Sequence, residues 1–275
     1  MAEVPTVRRV RFEWPDDLAL VWTPAHPEFA IAANSVSLLM PHAEPYVVAA
    51  TRAALREGLV DDPTHAKAAQ AYLTQEAQHH GQHRRFNDLL IAQAPALARV
   101  DRLFAWTFSR LGRRSTRFGL AFAAAFETIA FIAARWVDKR QSLLREADPT
   151  ATTMFLWHLA EEVEHKQVAH DTYEAAGGGR LRYGWAMVVA ASVLAAGALL
   201  GSMVMLQSTG RLFRPSSHLR LMTWSLSFVF AALPVMVVSM LPSHHPSQLV
   251  DPVGLEHWLD HLDADTASVP EWALP

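Results

Sequence analysis

The sequence predicts an all-α protein. Its apolar runs are too long for typical strands, and they mix valine and isoleucine with alanine, leucine and methionine, which favours helices. No convincing strand-like alternation of apolar and polar residues occurs in the 275 residues. Hydrophobic residues make up 51% of the chain and charged residues 19%, so a disordered chain is excluded.

Proline and glycine mark the ends of the first predicted elements. Four prolines indicate an extended N-terminal arm over residues 1–27. A first helix is predicted over residues 28–58, where Pro41 is expected to introduce a kink. A second helix, over residues 64–93, follows the capping sequence Asp61-Asp62-Pro63-Thr64.

The central part of the chain predicts three further helices. Residues 98–146 are long enough for two helices, which we expect to break near Gly112. Asp148-Pro149-Thr150 is a typical helix start, and Gly177-Gly178-Gly179 ends the helix that it begins. These helices and the two before them are the expected bundle.

The last part of the chain is much more apolar. No formal charge occurs from residue 183 to 210 or from 221 to 241, and helices are predicted over about 181–207 and 217–241. A short helix near 254–263 is expected in the tail. The predicted organisation is an N-terminal arm (1–27), a helical bundle (28–179), an apolar helical hairpin (180–241) and a C-terminal tail (242–275).

The apolar hairpin has two interpretations. About 20 apolar residues suffice for a helix to cross a bilayer, and Gly197-x-x-x-Gly201 is a spacing typical of close helix packing in lipid. Trp185 and Trp224 lie near the ends of the runs, as membrane-interface anchors do. The soluble alternative is a hairpin that packs on the bundle and lines a tunnel. Both interpretations favour a hydrophobic or lipid-derived substrate.

Composition excludes several function classes. The net charge is −3, and the arginine pairs are isolated, so a nucleic-acid partner is not expected. The absence of cysteine excludes disulfides, thiolate metal sites and cysteine nucleophiles. The chain contains 14 histidines, an unusually high number, and imidazole is the commonest protein metal ligand.

Two of the predicted helices contain the same Glu-x-x-His motif. Glu76 and His79 lie on the second helix, and Glu162 and His165 lie on the helix that starts at Asp148. Residues three apart are about 60° apart around a helix, so each motif presents a carboxylate and an imidazole on one face. Each motif follows a helix with an interior glutamate, namely Glu44 or Glu127. Burying these carboxylates is costly unless they are paired or bound to metal.

The arrangement resembles the ferritin-like di-metal carboxylate proteins, in which two bundle helices give one Glu each and two give Glu-x-x-His. The chain is also similar to the bacterial family catalogued as predicted metal-dependent hydrolases. The matching segments are Asn34-Ser35-Val36-Ser37, Pro41-His42-Ala43-Glu44, Gln75-Glu76-Ala77-Gln78-His79 through His83 to Asn87, His158 to Lys166, and His245-Pro246. Thr128 and Ala43 depart from that pattern, which is expected to have histidine and glycine there.

The resemblance implies a ferritin-like four-helix bundle with two metal ions. The expected ligands are Glu44, Glu76, His79, Glu127, His158, Glu162 and His165, with His83 as a further ligand or a second-sphere residue. His158 is included because the pattern His-x-x-x-Glu-x-x-His resembles that of the arylamine N-oxygenases, in which a third histidine joins the di-iron site.

Other polar residues near the motifs receive different expectations. Glu161 and Glu164 point away from Glu162 around the helix and are expected to be solvated. His80 and His170 are expected at the surface or in the second sphere. Asp171, Arg84 and Arg85 are candidate partners for the ligating histidines.

Carboxylate and imidazole ligands suit iron or manganese, with zinc as an alternative. With iron, the expected function is a di-iron oxidase or oxygenase that uses O₂ and an electron donor to hydroxylate, desaturate or N-oxygenate an apolar substrate. With zinc, the alternative is a dinuclear hydrolase of a hydrophobic ester, amide or phosphoester. The expected location is the cytoplasm, with inner-membrane association through residues 183–241. The sequence does not decide between a monomer and a homodimer.

Overall fold

The computed structural model describes residues 4–269. Within that range no β-strand occurs, which confirms the all-α prediction. The helices are α1 (Pro27–Ser37), α2 (Met40–Arg56), α3 (Pro63–Gln93), α4 (Leu97–Leu111), α5 (Thr116–Asp138), α6 (Pro149–Ala175), α7 (Arg180–Ser208), α8 (Pro215–Ser239) and α9 (Val253–Leu259). Short 3₁₀ helices lie at Gln141–Leu144 and Pro246–Gln248.

Side-chain caps fix the start of three bundle helices. Asp62 accepts hydrogen bonds from the amides of Thr64 and His65 at 2.8 and 2.9 Å. Asp148 caps α6 through the amide of Ala151 at 2.9 Å, and Ser115 caps α5. Such caps satisfy amides that have no partner within the helix.

The four-helix bundle consists of α2, α3, α5 and α6. Helix α2 packs against α3 and α5, and α6 packs against the same two helices from the opposite side. Helix α5 carries a long continuous buried stretch, because residues 119–129 are all buried. A glutamate in the middle of this stretch therefore faces the bundle interior.

The first predicted helix is in fact two helices, so the expected kink at Pro41 is a break. Helix α1 ends at Ser37, and α2 starts at Met40, with Pro41 in its first turn. A continuous helix would drive the Pro41 ring against the Ser37 carbonyl four residues earlier, whereas the first turn tolerates proline. The break separates Ser37 from Glu44, and both side chains face the interior.

The apolar helices α7 and α8 lie outside the bundle. Helix α7 packs against α1, α4 and α5, and α8 contacts α5 and α1. Gly197 and Gly201 allow close helix packing within this chain. A Cβ at Gly201 would be 2.8 Å from the Ser35 Cβ, and one at Gly197 would be 2.8 Å from the Phe104 ring. Trp224 is half-buried and packs on Phe29, whereas Trp185 is 61% exposed.

Three helices are long and apolar enough to cross a membrane by length and composition. They differ in burial, since the most apolar window is 72% buried in α5, 28% in α7 and 6% in α8. Helix α5 is therefore a core helix, whereas α8 leaves an extensive apolar surface exposed. Phe230 is 75% exposed and Leu233 is 56% exposed on this surface.

Candidate metal centre

The bundle interior collects carboxylates and imidazoles from all four of its helices. Every ligand expected from the sequence is buried there. Glu44 comes from α2, Glu76 and His79 from α3, Glu127 from α5, and His158, Glu162 and His165 from α6.

One group of donors surrounds His165. Its Nδ1 lies 2.8 Å from Oε1 of Glu76, 3.5 Å from Oε2 of Glu162 and 3.7 Å from Oε2 of Glu127. Nδ1 of His79 lies 4.0 Å from Oε1 of Glu76 and 3.9 Å from Oε1 of Glu162. One donor atom from each residue of the two Glu-x-x-His motifs lies within 4.8 Å of the others.

A second group lies on the other side of Glu162. Nε2 of His158 is 2.7 Å from Oε1 of Glu162 and 3.7 Å from Oε1 of Glu44. Glu162 therefore has one oxygen close to His165 and the other close to His158. A carboxylate in this position is able to bridge two ions.

Many of these donor atoms lack a hydrogen bond. Among the described residues, buried atoms without a hydrogen-bond partner include both oxygens of Glu44, Oε1 of Glu76, Nδ1 of His79, Oε2 of Glu127, Oε2 of Glu162 and Nδ1 of His165. Buried polar groups are nearly always satisfied, so such a concentration needs a reason. Carboxylate and imidazole donor atoms that converge in this way are what a metal ion requires.

The outer nitrogens of two histidines are held by neighbouring residues. Nε2 of His79 is 2.9 Å from Oε2 of Glu161, and Nε2 of His165 is 3.0 Å from Oε1 of Gln75. Each imidazole donates its Nε2–H to the acceptor, which leaves the Nδ1 lone pair facing the interior. The Tyr72 hydroxyl likewise donates to Oε1 of Glu127 at 2.7 Å.

His158 is oriented by a hydrogen-bond chain. Ser37 donates to Oδ1 of Asn87 at 2.7 Å, so its oxygen accepts from Nδ1–H of His83 at 2.7 Å. Nε2 of His83 then accepts from Nδ1–H of His158 at 2.6 Å. The chain leaves a lone pair on Nε2 of His158, directed at Glu162, and this contact requires a cation or a proton. Both nitrogens of His83 take part in this chain, and one of its donor atoms lies within 4.8 Å of donor atoms of Glu44 and His158.

Burial dominates the electrostatics of the centre. It raises the pKa of Glu44 well above its ordinary value, and the nearby carboxylates of Glu76 and Glu162 raise it further. The pKa of Glu127 is raised in the same way, by burial and then by Glu162 and Glu76. Burial also lowers the pKa of His79 well below its usual range. At His165 burial alone would lower the pKa, but the carboxylates of Glu162, Glu127 and Glu76 outweigh it and raise the pKa well above its usual range. The crowded carboxylates thus attract positive charge, which a divalent cation would supply in place of a proton.

The structure corrects the expectation for Glu161. Its side chain is fully buried and contacts His79, although its angular position relative to Glu162 suggested a solvated face. Arg8 of the N-terminal arm covers this position from outside, 3.4 Å from Glu161 and 3.0 Å from Glu164. Glu164 is partly exposed and accepts hydrogen bonds from Arg8 and Gln75.

The other candidate partners lie away from the centre. Arg84 bonds to Asp101 at 3.1 Å, and Arg85 is exposed. Asp171 bonds to His245 at 2.7 Å. His170 is buried, and it belongs to the same separate cluster as Asp171.

Sequence reasoning assigned no role to Tyr72, Gln75, Ser37 or Asn87. A partial indication existed for two of them, because Tyr72 lies four residues before Glu76 and Gln75 lies four before His79, on the same helix faces. Nothing in the spacing of Ser37 and Asn87 indicated that a histidine would contact Ser37, since that contact depends on the break between α1 and α2.

Comparison with known proteins agrees with a metal-dependent function. The family model described as "Predicted metal-dependent hydrolase" matches residues 6–249, which is most of the chain. No curated protein and no solved structure matches it. The match includes all four bundle helices and the buried donors, as well as α7, α8 and His245. The chain therefore belongs to the family of predicted metal-dependent hydrolases.

Proposed function

We propose that the bundle interior holds two divalent metal ions and that the protein is a dinuclear metal-dependent hydrolase. The observation that supports this most is the set of buried, unpartnered donor atoms on both sides of Glu162. The family match supports metal dependence and hydrolysis together. In this assignment Glu76, His79, Glu162 and His165 would hold one ion, with Glu127 beside them. Glu44, His158 and the other oxygen of Glu162 would hold the second.

The charge of the buried carboxylates fits two divalent metal ions. Four buried carboxylates carry up to four negative charges, and their mutual repulsion is compatible with folding only if protons or cations neutralise them. Two divalent ions supply this neutralisation and use the free lone pairs. Oxygen and imidazole donors suit zinc, manganese and iron.

Two bound ions would supply Lewis-acid polarisation of a scissile bond and a water nucleophile with a lowered pKa. The protein's part is to hold the imidazoles in one tautomer and to exclude bulk water. Glu161, Gln75 and His83 fix the three ring orientations. Trp157 is fully buried and packs on the His79 ring at 4.7 Å between ring centroids, which keeps this side of the centre dry.

Replacing Glu161 by alanine is expected to weaken metal binding by about 10- to 100-fold, the usual effect of losing a partner of a ligating histidine. The Nε2–H of His79 would lose its acceptor, and the ring would be free to rotate. Glu161→Gln keeps an oxygen acceptor and should restore most of the affinity. Equilibrium dialysis measures the effect, with Asp88→Ala on the exposed face of α3 as control. Equal affinities for the alanine variant and wild type would contradict this role of Glu161.

The hydrolase proposal is tested by comparing zinc-, manganese- and iron-loaded protein under anaerobic conditions. Apolar carboxylic esters, amides and phosphoesters are offered as substrates. We expect the zinc or manganese form to turn over at least one of them without O₂. The proposal fails if only the iron form is active and its activity requires O₂ and a reductant.

A di-iron oxidase or oxygenase is the second candidate function. It is favoured by one observation, namely that each of two helices contributes a Glu and each of the other two contributes Glu-x-x-His, the layout of di-iron carboxylate bundles. Two iron ions would supply O₂ reduction, and an electron donor would then be a required partner. The anaerobic comparison separates this candidate from the hydrolase, because an oxygenase does not turn over its substrate without O₂.

We also propose that the outer faces of α7 and α8 lie in a lipid surface, so that the substrate is hydrophobic or lipid-derived. Both helices are of membrane-spanning length, and the α8 window is only 6% buried. Arg211 and Arg214 lie at the turn between the helices, where cationic groups attract anionic headgroups. The alternative cover for this face is a second copy of the chain.

A further inference from the structure

We propose a second metal site, mononuclear and separate from the bundle centre, formed by His170, Asp171 and His245. His170 and Asp171 lie on α6, about 7.5 and about 9 Å along the helix axis beyond His165. The third comes from the segment after α8. None of them is among the bundle donors, so this inference does not depend on the proposed function.

The three side chains converge. Each offers one donor atom within 4.8 Å of the other two. Nε2 of His245 is 2.7 Å from Oδ1 of Asp171, and the rings of His170 and His245 are 5.2 Å apart between centroids. Two imidazoles and one carboxylate are a recurrent ligand set for divalent transition-metal ions, in which the remaining positions are open to water.

His170 gives the second, independent indication. It is 2% exposed, and its Nδ1 has no hydrogen-bond partner among the described residues. Burial, together with His245, Arg180 and His244, lowers the pKa of His170 to about 3, so the ring is neutral and keeps one nitrogen lone pair. A neutral imidazole carries one N–H, and with that proton on Nε2 the buried Nδ1 of His170 offers a lone pair without a partner among the described residues.

The nearest competing charge is compensated. Nη1 of Arg180 is 3.5 Å from Nε2 of His170, which would disfavour a cation. The other guanidinium nitrogen, Nη2, bonds to Oε1 of Glu174 at 3.0 Å and to the carbonyl oxygens of Pro242 and His244. With Arg180 neutralised by Glu174, the charge of Asp171 is left for a metal ion.

An ion can reach this cluster from solvent. A cavity of about 420 Å³ is lined by His65, Gln167, Asp171, Glu174, His245 and Ser247. It has room for water molecules that complete the coordination. Bound metal would connect α6 to the segment after α8, which His245 and Arg180 already tether.

The test counts zinc ions per chain after saturation of metal-free protein and removal of excess metal. Wild type is expected to hold one ion more than His245→Ala and one more than Asp171→Asn. These two variants are chosen because both side chains lie at the cavity rim, whereas His170 is in the core. His218→Gln, which removes an exposed histidine from α8, should leave the count unchanged.

The double variant Glu76→Gln/Glu162→Gln separates this site from the bundle centre. It should lose the bundle ions and keep the one that His245 holds, so failure of either site is seen independently. Melting curves of the metal-free variants show whether each is folded. The proposal is overturned if folded His245→Ala and Asp171→Asn both retain the wild-type zinc count.

Discussion

Replacing Glu127 by glutamine should stabilise the metal-free protein and abolish most of its response to metal. Glu127 lies within the continuous buried stretch of α5, and burial together with Glu162 and Glu76 raises its pKa well above the ordinary value. The neutral amide removes this cost in the absence of metal. With metal, however, the charge that Oε2 provides is lost, so both binding and activity are expected to fall by more than about 100-fold, beyond the usual effect of a second-sphere partner.

Glutamine is the sharper choice at this position because it preserves the rest of the environment. Its side-chain oxygen can still accept the hydrogen bond from Tyr72. Alanine would leave that hydroxyl unpaired at a cost of about 1–3 kcal/mol, although much of the helical content should remain. For a domain of this size, about 2–4 °C in melting temperature corresponds to 1 kcal/mol.

The experiment therefore has two readouts with opposite signs. Differential scanning calorimetry of the metal-free form should give a higher melting temperature for Glu127→Gln than for wild type. Addition of zinc should raise the wild-type value and change the variant much less. Asp88→Asn is the matched control on the exposed face of α3. Full metal content and wild-type turnover in Glu127→Gln would remove this residue from the proposed ligand set.

The positions of the bundle helices and of the expected ligands followed from local patterns. Helix starts at Pro63 and Pro149 were indicated by the Asp-Pro-Thr sequences that contain these prolines, and the structure shows the aspartate caps. The Glu-x-x-His spacing depends only on helix geometry, which is independent of tertiary structure. Glu127 was recognisable because a carboxylate inside an apolar helix needs a buried partner.

The surroundings of the ligands could not be predicted in the same way. Glu161 lies about 100° around α6 from Glu162, a direction that would be solvated on an isolated helix. It is buried because α3 brings His79 to one side of it and the N-terminal arm places Arg8 on the other. Contacts among three separate segments are tertiary information that no helical periodicity contains.

The glycine pair in α7 illustrates a second limit of sequence patterns. Gly197 and Gly201 have the spacing of membrane-helix contacts, and they do mark close packing. Their partners, however, are Phe104 of α4 and Ser35 of α1 within this chain. The spacing indicates that something approaches the helix closely, and only the fold determines what approaches it.

Substituting serine for Leu226, Phe230 and Leu233 together should detach the protein from lipid vesicles. These residues share one face of α8, and their exposed fractions are 48%, 75% and 56%. Full burial of a large apolar side chain contributes about 1.5–3 kcal/mol. Even partial immersion of three such side chains should therefore account for about 100-fold in partitioning, because each 1.4 kcal/mol is a factor of ten.

Flotation with vesicles containing anionic lipid measures this partitioning, and Leu103→Ser/Trp106→Ser on α4 is a control that also removes exposed apolar side chains. High salt should weaken wild-type binding only in part, because screening affects the arginines at the turn and leaves the apolar contribution. Sedimentation analysis without lipid tests whether a second copy of the chain covers this face of α8 instead. If the wild-type protein does not bind vesicles and forms a dimer that the triple variant does not form, the face of α8 is a protein interface. The argument for a lipid-derived substrate then loses its basis.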